Sequence, residues 1–413
     1  MTTAGATTSD RSLRAPLASP AFRWLLTGRT VNLLGSAVAP IALAFAVLDL
    51  TGSTTDLGLV VAARSLMNVL LLLYGGVLAD RIPRRLLLAG SAAGAAVTQA
   101  AVAAIVLSGH AQIWSLALLS AFNGAVSGVG MPAALAVLPQ TLPAAHLPTG
   151  IALARLAGNS TNVLGLAVGG ALVAGVGPGW GIATDAATFA VAAACFSRLP
   201  SVTVASGRGS VLTDLREGWT EFASRTWVWV VVAQFLVVNA ALAGAEGVLG
   251  PVVADRTIGR SAYGLVLAAS AVGLVVGALV ALRYRPHKVL RFGVAVILAL
   301  ALPSLGLALS PTVLVLVATF FFLAGVASDL FGVAWDVSLQ QNIAPDRLAR
   351  VYSYDALGSF LAIPLGQVVV GPLSAVTGTR NALLGLSAAV TVATALALSS
   401  RSVRALERQA PTA

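Results

Sequence analysis

The sequence predicts an all-α membrane protein: twelve transmembrane helices in two six-helix bundles related by a parallel pseudo-two-fold repeat. Three observations carry this. Of the 413 residues, 58% are hydrophobic and only 10% are charged, against about 25% charged in a soluble domain, so a solvated surface cannot be built. The apolar residues fall into twelve runs, each close to the roughly 20 residues that cross about 30 Å of hydrocarbon. The halves also match at a constant offset of 201 residues, Gln140 falling on Gln341, Leu156 on Leu357, Gly165 on Gly366, Gly170 on Gly371 and Gly177 on Gly378. Gly76–Asp80 falls on Gly277–Ala281 at the same offset. Six spans per period is an even number, so both copies share one topology, which places a ligand site near the midplane between them.

The elements follow in order. A cytoplasmic N-terminal tail (1–22) is polar, carries Arg11 and Arg14 and lacks an apolar core, so no cleavable signal peptide is expected. The first bundle (23–197) has spans near 24–49, 57–79, 86–107, 112–138, 147–175 and 179–197, broken at Gly, Pro and charge clusters. A cytoplasmic linker (198–226) follows, and within it Val211 to Ser224 reads as an amphipathic helix on the membrane surface. The second bundle (227–400) has spans near 227–251, 262–282, 289–309, 312–340, 349–376 and 380–400, and a cytoplasmic tail (401–413) ends the chain. Trp114, Trp180, Trp219, Trp227 and Trp229 lie near span ends, as in an interfacial belt.

Charge sets the orientation and removes other functions. With both termini inside, cytoplasmic segments hold 19 of the 25 Arg and Lys, and outer loops hold only Arg256, Arg260 and Arg380. The chain is therefore expected as a multi-pass protein of the cytoplasmic (inner) membrane with both termini in the cytoplasm. The same asymmetry explains the net charge of +10 without nucleic acid. Cys195 is the single cysteine, so no intramolecular disulfide forms. There is no phosphate-cradling G-x-x-x-x-G-K-[ST] loop, and His110, His146 and His287 are scattered, so neither ATP hydrolysis nor a zinc set is expected. No nucleophile–base constellation is visible, so the chain is not expected to be an enzyme and no cofactor or metal is expected.

Between spans two and three the chain reads Gly76-Val-Leu-Ala-Asp80-Arg81-Ile-Pro83-Arg84-Arg85. This resembles the loop signature of the major facilitator superfamily, with Pro83 where the family often has Gly. Arg29 to Pro40, and Trp335 to Asp355 at the junction of spans ten and eleven, are similar to the bacterial drug-efflux branch that includes macrolide-efflux and enterobactin-exporter-like proteins. The resemblance covers about Arg23 to Ser400. It implies alternating access, with Gly76, Asp80, Arg81, Arg84, Arg85, Arg350 and Asp355 in a cytoplasmic gate. It departs at the antiporter segment, where Gly165-Leu166-Ala-Val-Gly169-Gly170 has Leu166 for the family's proline. The span-four arginine motif is absent too, the comparable stretch reading Ala121-Phe-Asn123-Gly124.

Ionisable groups at membrane depth cost about 2.5–3.5 kcal/mol each on insertion scales, so they face a cavity or a partner. In span ten Gly325, Ser328, Asp329, Gly332, Asp336 and Gln340 share one helical face. Asp329 and Asp336 are candidates for proton or cation binding, or for gate pairs with Arg350, Arg81 or Arg155. In span seven Asn239 and Glu246 share a face, Glu246 being a third proton-coupling candidate or an outer-gate partner of Arg260. Asn32, Ser36, Asn123, Arg155, Asn159, Asn162 and Asn239 are candidates for the substrate cavity, while Arg29 lies near the cytoplasmic end, where snorkelling suffices. Arg64 requires an acid, with Asp49, Asp56 and Asp185 open. The expected activity is export of a hydrophobic drug-like compound or secondary metabolite by proton antiport, the partners being the bilayer, protons and the small-molecule substrate, and the working unit a monomer. Import of a nutrient by symport, or a non-transporting receptor on the same fold, is the alternative.

Overall fold

The computed structural model describes residues 15–79, 82–200, 219–220, 222–284 and 286–406. Asp80, Arg81 and linker residues 201–218, with most of the expected surface helix, lie outside the described residues, as do the side chains of Gly76 and Arg350.

Each apolar run forms a helix. In chain order these are α1 (Pro20–Thr51), α2 (Thr54–Ala79), α3 (Arg84–Leu107), α4 (Ile113–Val137), α5 (Leu147–Val176) and α6 (Pro178–Phe196), then α7 (Thr226–Arg256), α8 (Arg260–Arg283), α9 (Val289–Leu309), α10 (Leu314–Asn342), α11 (Pro345–Phe360, continued by Ala362–Thr377) and α12 (Thr379–Ser399). Ser19 caps α1, its Oγ accepting from the Phe22 amide at 3.3 Å, with Pro20 at the first helical position. Two helices are irregular where the sequence reads as a plain span: α7 carries a π-turn at Ala245–Leu249, and α9 tightens to a 3₁₀ turn at Ile297–Ala301.

The repeat is written into the close packing. Gly165 packs on the Leu34 carbonyl of α1, and Gly366 packs on the Ala240 carbonyl of α7. Gly124 meets the Arg64 carbonyl of α2, and Gly325 the Ser270 carbonyl of α8. Gly170 meets Gly264 across the halves, and Gly371 meets Thr55. Gly177 and Gly378 each make a one-residue turn, at φ +92° and +84°, a conformation only glycine takes freely. These glycine pairs keep the offset of 201, as do the starts of α4 and α10 (113 and 314) and of α6 and α12 (178 and 379).

The first helices of each half do not keep it. The helices α1 and α7 begin at 20 and 226, and α2 and α8 at 54 and 260, an offset of 206. Contacts obey the same number, since Arg64 and Ser270 receive equivalent glycines and Gly58 and Gly264 meet the carbonyls of Gln367 and Leu166. The pairing of Gly76–Asp80 with Gly277–Ala281 is therefore out of register by five residues, a difference absorbed at α3 and α9 and the turns beside them.

The two ends of the molecule differ. At the end holding Gly52, Gly109, Gly177, Gly259 and Gly378 (the positive-φ glycines among the described residues), one apolar core runs through both halves, from Phe45, Leu57 and Ile182 to Val248, Leu307 and Phe321. At the other end each half keeps its own core, around Leu25, Leu88 and Phe189 in the first and Val228, Leu290 and Trp335 in the second. The halves are thus joined at one end and split at the other. Trp114 and Trp180 are exposed at the joined end, and Trp219 and Trp229 at the split end, but Trp227 is buried with its ring 5.7 Å from that of Trp335. Two residues along a helix lie on nearly opposite faces, so Trp227 turns to the core where Trp229 turns outward.

Candidate functional site

Below the joined core lies a cavity of about 420 Å³ between the halves, walled by α1, α2, α4, α7, α8 and α11. Most of its lining is apolar, with Arg64, Ser65, Asn68, Glu246, Tyr263 and Gln367 as polar exceptions. A mostly apolar wall with a few placed polar groups is the usual make-up of a small-molecule site.

Glu246 is the acid of this wall, and it sits on the π-turn of α7. Such a turn leaves backbone carbonyls out of the regular ladder. Tyr263 of α8 answers one of them, its hydroxyl donating to the Glu246 carbonyl at 2.5 Å. The hydroxyl has room because residue 250 is glycine: a Cβ there would lie 2.2 Å from it. The carboxyl of Glu246 has no hydrogen bond or ion pair among the described residues. Arg260, the partner considered for it, is engaged elsewhere. Its Nη1 reaches Asp49 of α1 at 2.9 Å, its Nε reaches Asp255 at 2.7 Å, and its guanidinium lies 4.7 Å from the Phe45 ring centroid.

A second cavity of about 410 Å³ lies inside the first half, among α1, α2, α3, α4 and α6. Asn32 and Ser36 line it, and so does Arg29. Arg64, Asn68 and Met131 line both cavities. Behind this junction lies the fully buried Asp185 of α6, whose charge acts on the half-buried Arg64 without a direct ion pair and whose Oδ2 accepts from Gln99 Nε2 at 2.5 Å. Gly35 makes the space, since a Cβ there would sit 2.6 Å from Asp185 Oδ1.

The family model of the Major Facilitator Superfamily matches residues 25–367. The chain belongs to that superfamily. The multidrug efflux pump Tap of Mycolicibacterium fortuitum is 28% identical over 398 residues, covering 91% of this chain and 93% of Tap. The uncharacterised MFS-type transporter YfiS of Bacillus subtilis is 24% identical over 375 residues, covering 87% and 88%. A bacterial homologue of the human lysosomal transporter Spinster, solved inward-facing and unoccupied, superposes with a TM-score of 0.74 at 16% identity, covering 96% of this chain and all of that one. The nucleoside transporter NupG gives 0.74 at 15% identity, covering 92% and 98%. The likeness to these two solved proteins is one of fold.

Within this facilitator the remaining candidates scatter. Asn123 is buried and donates to Thr98 Oγ1 at 3.1 Å, tying α4 to α3. Asn239 donates to the Ser359 carbonyl at 3.1 Å, tying α7 to α11. Both residues lie outside the linings of the two cavities, as do Arg155, Asn159 and Asn162 of α5. Arg155 instead faces Asp329 of α10 from across the halves, and Asp329 Oδ2 is buried without a hydrogen bond. Asp336 is exposed at the split end, where Tyr352 Oη donates to it at 2.8 Å. Of the gate set, Asp355 accepts from Trp335 Nε1 at 2.9 Å within the second half, while Arg84 and Arg85 open α3 beside Val137 and Gln140. Arg64 and Asp185 are the members of the site that motif reading left out. Their charge at membrane depth was the available signal.

Proposed function

We propose that this protein exports a hydrophobic drug-like compound or secondary metabolite in exchange for protons, by alternating access at the cavity between the halves. The observation that carries the reading is Glu246: an acid on a mostly apolar cavity wall, its carboxyl without a hydrogen bond or ion pair among the described residues. Proton and substrate then compete for one carboxyl. A protonated Glu246 presents no negative charge and releases cargo, whereas the carboxylate holds a cationic or hydrogen-bond-donating one. Asp329 and Asp336 line neither cavity, and Asp336 is assigned to the split-end surface beside Tyr352. On the positive-inside rule the arginine-rich split end is placed toward the cytoplasm, with both termini inside and the cavity loaded from the cytoplasm, and the working unit in the cytoplasmic membrane is proposed to be a monomer. The multidrug pump among its relatives supports efflux over import.

The test is proteoliposomes holding a pH-sensitive dye, challenged with hydrophobic cations, macrolides and siderophores. A substrate-triggered proton flux is expected from the native protein and none from Glu246→Gln, with Asp336→Asn at the native level. Undiminished flux from Glu246→Gln sinks the assignment.

A further inference from the structure

We infer that the two cavities form one bent site for a zwitterionic amphiphile, its carboxylate beside Arg29 inside the first half and its amine beside Glu246 between the halves. The inference rests on the proposed transport site and names the class of cargo it takes. The cavities share Arg64, Asn68 and Met131, so a single molecule can lie across their junction. The two cavities differ in their charged groups. Arg29 lines only the inner one, which has no acid, Glu246 lines only the central one, and Arg64 lines both. Arg64 has the charge of Asp185 acting on it from behind. Arg29 has no hydrogen bond or ion pair among the described residues, and one turn further along α1 the Asn32 Oδ1 is buried without a hydrogen-bond partner.

A purely apolar ligand would leave both groups unsatisfied, at the cost that buried polar groups carry. A simple cation seated at Glu246 would leave Arg29 and Asn32 unanswered. A carboxylate with a neighbouring hydroxyl or N–H satisfies both, the carboxylate taking Arg29 and the donor taking Asn32. The helix α1 runs past both cavities, from Arg29 in one to Pro40 in the other. Eleven residues of helix rise about 16 Å, so the cargo's two charges sit at opposite ends of an apolar body of that order of length.

The test is equilibrium binding to the full-length protein in lipid nanodiscs, where neither a proton gradient nor turnover is needed. Three fluorescent probes share one rigid biphenyl-naphthyl body and carry a terminal tertiary amine, a terminal carboxylate, or both at opposite ends. The zwitterion is expected to bind about ten-fold or more tighter than either singly charged probe, the gain of one charge-assisted contact. Arg29→Gln should remove the carboxylate's contribution and leave the amine probe unchanged, and Arg29→Lys should restore part of it. The near-isosteric Asn32→Asp, which places an acid beside Arg29 without a change in volume, should have the same effect as Arg29→Gln. Glu246→Gln should do the reverse, weakening the amine probe alone. If the amine probe binds but the carboxylate adds nothing, or if Arg29→Gln weakens both probes equally, the bent site is overturned and the central cavity stands. If none of the three probes binds, the central cavity itself fails as a binding site.

Discussion

At the scale of single residues, the decisive pair is Arg64 and Asp185. Asp185 is fully buried and held by Gln99, and Arg64 is half-buried in the first half where the two cavities meet. A buried charge that loses its partner costs about 3–5 kcal/mol, while replacing both partners by apolar residues is close to neutral. Thermal unfolding in detergent should therefore show large losses for Arg64→Leu and for Asp185→Leu alone, and a much smaller loss for the double variant. Additive losses would mean that the two do not act as a pair. The sequence shows that Arg64 needs an acid, because its depth is readable from hydropathy. It leaves three acids open, because the choice depends on how α2 and α6 are rotated about their axes. The structure removes Asp49 from the choice by giving it to Arg260. For Asn123 and Asn239 the sequence reading errs for a related reason: a polar face is legible, but what it faces is not, and each finds a neighbouring helix in place of the cavity.

Whole helices were the most legible level, since twelve apolar runs need only be counted. What hydropathy cannot carry is a change of pitch within a run, so the π-turn under Glu246 and the 3₁₀ turn of α9 are absent from the sequence reading. The same holds for the repeat. Its offset of 201 is legible because Gly165, Gly170 and Gly177 recur, but the shift to 206 in the first two helices emerges only once their packing partners are known. Crossings of α5 with α8 depend on Gly264, where a Cβ would stand 2.7 Å from the Gly170 Cα and 2.7 Å from the Leu166 carbonyl oxygen. Gly264→Leu is expected to force these helices apart, lowering the unfolding temperature and abolishing transport. Gly385→Ala on α12, where the added methyl meets nothing within 4 Å, is the control. It should be neutral or gain up to about 1 kcal/mol in helix propensity. Equal thermal shifts for the two would show that the crossing is not tight.

For the molecule as a whole, hydropathy is blind to which end is closed, because both ends are built from the same repeated helices. The shared core places closure at the turn-rich end, and Arg260 reinforces it by bridging Asp49 of the first half and Asp255 of the second. The bridge is partly exposed, so it is worth at most about 1 kcal/mol in stability. Yet an energy of that size moves a balanced two-state equilibrium by about five-fold. Asp49→Asn should leave the unfolding temperature nearly unchanged while lengthening spin-label distances between the joined-end tips of α2 and α11. A distance distribution identical to the native one would remove the bridge from the gating balance.

The shared core also bears on how the chain can be made. Its apolar side chains come from both halves in quantity, with Phe45, Leu57 and Ile182 on one side and Val248, Leu307 and Phe321 on the other. In lipid, close packing of such surfaces, not release of water, favours association, and each half already owns a private core at the split end. Two separately translated polypeptides, divided between residues 198 and 226 and produced in one cell, are therefore expected to co-purify from the membrane, and halves that do not co-purify would show that the shared core is too weak to hold them together without the peptide link.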